Sequence, residues 1–257
     1  MRLLTLHVMA LVVVVSGLSF ATWSLATRST HSPWYVAKWE DVGAGLQRIE
    51  FVSEDDVNVL VYAFDPALVT LRLETGEESH RVKTWASELK KGAIFINGFY
   101  FLEDGSPAGA VISRGVSLSE LNFDWDKSGV IQLAPSFKLI DTARDRFSPS
   151  VALEAGQSYP FLLKQGVGAI LEDTGLTARR TFIGTDEFGT AYVGVVWRDD
   201  VTLFQLMNVL QEMDIAWQDV INLDGGPSTG LVVETEGFSE ILDSAAPVPN
   251  VIVIQPK

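Results

Sequence analysis

After residue 45 the apolar and polar positions alternate mostly with the two-residue period of strands, and a helical period surfaces only twice. Residues 46–52 and 57–64 alternate across the acidic turn Ser53-Glu54-Asp55-Asp56, which predicts a hairpin, and a third strand is expected over 68–73. Residues 84–91 predict a short helix with Thr84 as N-cap, Trp85, Ala86 and Leu89 turned inward, and Gly92 as its stop. Strands are expected at 93–96 and 109–112. Phe123 and Trp125, set among Asn122, Asp124 and Asp126, suit an edge strand or a loop beside a cleft. The stretch 178–184 pairs with 190–197 as a hairpin. Residues 201–213 predict the best helix of the chain, with Leu203, Leu206, Met207 and Leu210 on its core face. Apolar runs at 220–223, 231–233 and 248–254 close the chain as buried strands. The expected architecture is a single α+β domain, strand-rich, with mixed β-sheets flanked by a few helices.

The N-terminus follows another pattern. Arg2 precedes an apolar run over 3–26 that ends on the small residues Ser24-Leu25-Ala26. Residues 1–26 therefore read as a secretory signal peptide, or as an uncleaved signal anchor, since the run is just long enough to span a bilayer. Residues 27–45 are a tether and 46–257 the domain. Either reading places the domain outside the cytoplasm, periplasmic or extracellular, with the N-terminal segment as the sole membrane contact.

Composition narrows the chemistry. At 47% hydrophobic and 20% charged, the 257 residues support a sizeable core. A formal net charge of −14 repels polyphosphate backbones, so nucleic acid is a poor partner. Cysteine is absent, which excludes disulfides, thiolate metal sites and a cysteine nucleophile; three histidines are too few for a multi-histidine zinc site. No cofactor is called for, and any metal would be Ca²⁺ or Mg²⁺ held by oxygens.

Three polar interruptions sit where strands end. In Asn222-Leu223-Asp224-Gly225-Gly226-Pro227-Ser228-Thr229, two glycines let backbone approach a ligand, and successive turn amides can form an anion-binding nest beside the Asp224 carboxylate; a plain Asp-Gly turn is the rival reading. Asn97-Gly98 is a hairpin turn by default, yet the aromatics Phe99, Tyr100 and Phe101 after it suit the wall of a sugar-sized pocket or a buried brace. Arg179 and Arg180 open a strand and suit phosphate, or else surface ion pairs. Lys164 either faces a bound anion or caps a hairpin.

Ile96-Asn97-Gly98-Phe99-Tyr100-Phe101, Arg180-Thr181-Phe182-Ile183-Gly184, the Asn222–Thr229 loop and Val248-Pro249-Asn250-Val251 occur in that order. Together they resemble the phosphodiester glycosidase family, over roughly residues 57–255. This chain departs from the family's pattern at Phe99, where a second glycine is usual, and at Pro227, where glycine or serine is. The resemblance implies an exported hydrolase that cleaves a glycosidic bond to phosphate, or a related glycan linkage, on a carbohydrate or sugar-phosphate substrate. It implies Asp224 as a catalytic carboxyl, with Arg180 stabilising developing phosphate charge and Asn97 at the same centre. Thr181, Ser228 and Thr229 then position substrate, Gly225 and Gly226 give close backbone approach, and Gly98, Tyr100 and Lys164 complete the binding set. A second carboxylate stays open among Glu103, Asp104, Asp186 and Glu187. The rival functions are a non-catalytic carbohydrate or cell-wall binding module, a metal-dependent phosphodiesterase and a structural envelope protein.

Overall fold

The alternation starting at residue 46 builds the hairpin it predicts. Leu46–Val52 pairs antiparallel with Asn58–Phe64, from Leu46 opposite Phe64 to Val52 opposite Asn58. The protein is seen here as a computed structural model that describes residues 38–257 except 90–92 and 125–126. The signal or anchor at 1–26, the tether before residue 38, the Gly92 helix stop and Trp125 lie outside the described residues.

That hairpin belongs to an eight-stranded sheet. Its order is Glu40–Asp41, Leu46–Val52, Asn58–Phe64, Ala191–Val201, Ala178–Asp186, Trp217–Asn222, Phe161–Lys164 and Val167–Gly168. A second sheet runs Phe238–Leu242, Leu231–Thr235, Ile94–Asn97, Val248–Pro256 and Val69–His80. A third runs Val116–Ser119, Val111–Ser113, Glu154–Ser158, Gly129–Ala134 and Lys138–Asp141. The strand-rich α+β expectation holds. Each pairing among the described strands of these sheets is antiparallel, narrower than the mixed sheets expected.

Alternation along the strands sorts the core into layers. Leu60, Tyr62, Ile183, Val193 and Ile221 of the large sheet meet Leu71, Ile94, Ile96, Leu231 and Ile252 of the second sheet in the main core. Their neighbours Val59, Val61, Phe182, Val196 and Val220 point the other way, onto Leu206, Met207 and Leu210 of the helix Leu203–Glu212. Phe95, Val232, Val251 and Val253 pack likewise on the helix Val82–Leu89. The helix Leu203–Glu212 is started locally, by a capping box between Thr202 and Gln205. The other helix is not. It begins two residues before the Thr84 expected as its cap, because Ser244 Oγ accepts from the Val82 amide (3.2 Å) and an Asp243 oxygen from the Lys83 amide (2.9 Å). A cap supplied from such a distance leaves no local signature. The strands Gly129–Ala134 and Lys138–Asp141 are not among the elements expected from sequence; they pair with each other, and Gly129–Ala134 pairs with Glu154–Ser158.

Candidate active site

The strand Trp217–Asn222 lies beside Ala178–Asp186, with Asn222 opposite Phe182, so the end of one strand meets the start of the other. Asn97 ends a strand of the second sheet, opposite Val251. The three polar interruptions therefore converge, at the meeting of two sheets.

Asn97 is the centre of the knot and is fully buried. Its side-chain Oδ1 accepts from the Thr181 hydroxyl (2.8 Å) and the Gly230 amide (3.1 Å), and its Nδ2 donates to the Asp224 carbonyl (2.7 Å). Thr181 also lies 3.2 Å from the Thr229 hydroxyl, and both threonines are fully buried. These three residues hold the loop, and their side chains are turned into the protein with no exposed surface. The glycines of the two motifs answer to packing and turn geometry. A Cβ on Gly98 would sit 2.0 Å from Asn250 Oδ1, the atom that accepts from the Phe99 amide (2.7 Å). A Cβ on Gly225 would sit 2.8 Å from the Arg179 carbonyl, and Gly226 turns at φ +59°.

The anion nest expected in this loop is not formed. The Gly225 amide donates to the Asp224 carboxylate (2.9 Å), Ser228 to the Gly225 carbonyl (3.2 Å), Thr229 to the Gly226 carbonyl (3.2 Å) and Gly230 to Asn97. Pro227 has no amide, which leaves that of Gly226 alone. Turn amides closed on their own short helix cannot also hold a phosphate.

What faces open space is made of side chains. Asp224, Arg180 and Tyr100 are each partly exposed. Burial pushes the Asp224 carboxyl above its ordinary range, and the Ser228 hydroxyl and Gly225 amide, both bonded to it, only moderate the rise. Arg180 donates Nε to the Val201 carbonyl (2.9 Å) and an Nη2 hydrogen to the Leu176 carbonyl (2.6 Å). Of the five guanidinium donors these use two, which leaves about three for a ligand. Burial lowers the Arg180 pKa, while Tyr100 and Asp200 oppose the change electrostatically. The Tyr100 ring stacks on Tyr159 with centroids 4.7 Å apart, and its hydroxyl accepts from the Asn222 amide. Asp224 and Arg180 both act electrostatically on that hydroxyl. A carboxylate of raised pKa, a cation and a stacked aromatic pair are thus brought together.

Other sequence candidates do not join this group. Lys164 stands opposite Asp219, about 10 Å along the strand from Asn222, and its Nζ pairs with Asp141 at 2.6 Å. Asp186 is at the far end of its strand, where it accepts from the Phe188 and Thr190 amides and the Tyr192 hydroxyl. Glu103 and Asp104 sit in a surface turn, with Asp104 bound to Ser106. Two cavities of about 640 and 790 Å³ are lined in part by Glu187 and by Lys164, and neither includes Asp224. Chemistry, not volume, marks the site. Among the described residues no three histidine or acidic side chains cluster as metal ligands. Phe99, the first departure from the family's pattern, is core: it is 1% exposed and its ring lies on Gly156. Tyr159 and Asp200 are not among the sequence candidates, and Asn222 enters there only as the first residue of the loop motif. Asn222 carries a signal, being the one polar residue in the apolar run 220–223.

A family model described as phosphodiester glycosidase matches residues 91–255. No curated protein matches significantly in sequence. Among solved structures, the fold is similar to the zebrafish N-acetylglucosamine-1-phosphodiester alpha-N-acetylglucosaminidase catalytic domain, auto-inhibited by its pro-peptide. The TM-score is 0.57 at 17% identity, over 89% of this chain and 86% of that one. It is similar too to a hypothetical protein from Synechocystis, with a TM-score of 0.59 at 15% identity over 87% of this chain. The match spans 64% of that second protein, less than two thirds of its length.

Proposed function

The chain belongs to the phosphodiester glycosidase family, and on that premise we propose that it is an exported hydrolase of glycosyl phosphodiesters in envelope or extracellular carbohydrate. The observation that carries the reading is the Asp224 carboxyl, held by the Asn97 knot beside Arg180 and Tyr100. Burial makes Asp224 a stronger base than a solvated aspartate. In the proposed step it removes a proton from water, the water oxygen bonds to the anomeric carbon, and the bond from that carbon to phosphate oxygen breaks. The electron pair leaves with the phosphate, whose charge Arg180 receives. A phosphate leaving group needs little protonation, so one carboxylate suffices where ordinary glycoside hydrolysis uses two. The stacked Tyr100–Tyr159 pair offers the sugar an apolar face.

Export rests on the apolar segment at 1–26. Among the described residues no helix is long and apolar enough to cross a membrane. The test is turnover of N-acetylglucosamine 1-phosphate diesters by the purified domain. Release of sugar by the wild type and none by Asp224→Asn is expected; equal turnover by both removes Asp224 from the chemistry.

A further inference from the structure

The side-chain amide of Asn222 is fully buried against two oxygens, the Tyr159 carbonyl at 3.3 Å and the Tyr100 hydroxyl. A carbonyl oxygen only accepts, so the amide group facing it is the NH₂. That fixes the Asn222 orientation from heavy atoms alone. The same NH₂ donates to the Tyr100 hydroxyl oxygen, so the Tyr100 O–H must seek another acceptor. Asp224 and Arg180 both act electrostatically on this hydroxyl, and Tyr100, unlike Asn222, keeps some exposed surface. The price of the arrangement is visible in Asn222 Oδ1, which is buried with no hydrogen-bond partner, an arrangement that a purely structural asparagine would not require.

We propose that Asn222 is a positioning residue that makes Tyr100 a one-way hydrogen-bond donor to the leaving phosphate oxygen. The inference rests on the hydrolase reading above, and it supplies the donor that neither a second carboxylate nor the loop amides provide. Tyr100 keeps its proton throughout. Burial, with Asp224 beside it, pushes the hydroxyl well above its ordinary pKa, so that transferring the proton is unfavourable while sharing it is not. As the bond to the anomeric carbon breaks, the Tyr100 hydrogen bond strengthens on the phosphate oxygen that takes the electron pair. A sugar or alkyl alkoxide would need the proton itself. The device therefore selects glycosyl phosphates over ordinary glycosides.

The test compares the full chain with Tyr100→Phe, Asn222→Asp and the double variant on the methyl, phenyl and para-nitrophenyl phosphodiesters of N-acetylglucosamine 1-phosphate. In Asn222→Asp the carboxylate accepts a hydrogen bond from the Tyr100 hydroxyl and turns the donor away from the site. Each single change should lower kcat about 100-fold with KM nearly unchanged. The double variant should fall no further than the worse single one, and rates should depend more steeply on leaving-group acidity. Asn222→Ala, which buries no new charge, should cost less and lose its effect in the Tyr100→Phe background. Additive losses, a wild-type kcat in Tyr100→Phe or an unaltered leaving-group dependence overturns the inference. If Tyr100→Phe is unaffected while Asp224→Asn is dead, only this inference falls and the hydrolase reading stands. N-acetylglucosamine 1-phosphate carries on its dianionic phosphate the charge that the diester acquires only as the bond breaks, so its calorimetric binding should be about tenfold weaker in both single variants and reads the same donor where no turnover is seen. A wild type that neither turns over the diesters nor binds the monoester sinks both.

Discussion

Asn97 donates its side-chain amide to the main-chain carbonyl of Asp224, 127 residues further along the chain, at 2.7 Å. Through that bond the second sheet sets the position of a carboxylate carried by the first. Asn97 is fully buried and each polar atom of its side chain has a partner, so the bond is shielded from water and from competing acceptors.

Asn97→Ala should destabilise the fold by about 2–4 kcal/mol, since it strands the Thr181 hydroxyl, the Gly230 amide and the Asp224 carbonyl in a buried place. Thr181→Val removes one donor to Asn97 and should cost about 1–2 kcal/mol. Denaturant unfolding measures both. Equal effects of the two changes would deny Asn97 its central place.

Asp224→Asn should make the fold more stable at neutral pH while abolishing turnover. Burial raises the Asp224 pKa in the folded state, so the folded chain holds that proton more tightly than the unfolded one. The resulting destabilisation is present above the raised value and fades as pH falls toward the ordinary aspartate value. The stability gap between Asp224→Asn and wild type should narrow over the same interval, as thermal unfolding across a pH series would record. The acid limb of the rate profile should lie above the ordinary aspartate range, because the base must be ionised.

Gly98→Ala forces a Cβ to within 2.0 Å of Asn250 Oδ1. Asn250 is itself tied to Phe99 through both ends of its amide, at 2.7 and 3.3 Å, and cannot step aside cheaply. A loss of about 3 kcal/mol is expected. At Gly237, where φ is +91° and nothing lies within 4 Å, alanine meets only backbone strain and should cost about 1 kcal/mol. Melting temperatures of the two variants give the comparison.

Phe99→Gly restores the residue usual in the family and should destabilise by about 3–5 kcal/mol. The ring fills the space over Gly156, where any Cβ would meet it at 2.1 Å. Asp224-dependent turnover at low temperature should survive, because Phe99 lies in the core and away from the open face.

Lys164→Met should leave activity intact and lower stability by about 1–2 kcal/mol, by removing the nearer of the two cations paired with the buried Asp141. Burial pushes the Asp141 carboxyl up, but its bond from Lys164 and its other hydrogen bonds outweigh this and hold it below the ordinary range. The stabilisation from that depression is present above the unfolded aspartate value and is lost as pH falls through the folded one. The variant should therefore show a flatter acid dependence of unfolding than the wild type. A loss of turnover would return Lys164 to the site.

Sequence alone determined the elements whose causes are local. The hairpin from Leu46 to Phe64 and the helix Leu203–Glu212 follow from period and capping, because neighbouring side chains create both. The ordered motifs likewise marked the family. Only the tertiary structure decided what each motif residue does. Whether Asn97, Thr181 and Thr229 meet a ligand or one another depends on the approach of two sheets, as does the start of the helix at Val82, capped from Asp243 and Ser244. Lys164 and Asp224 are both charged residues at the ends of strands; Lys164 finds a carboxylate in the adjacent small sheet, whereas Asp224 is left with a hydroxyl and an amide. The free energy of a charge depends on the dielectric and the partners around it, and those are assembled from distant parts of the chain.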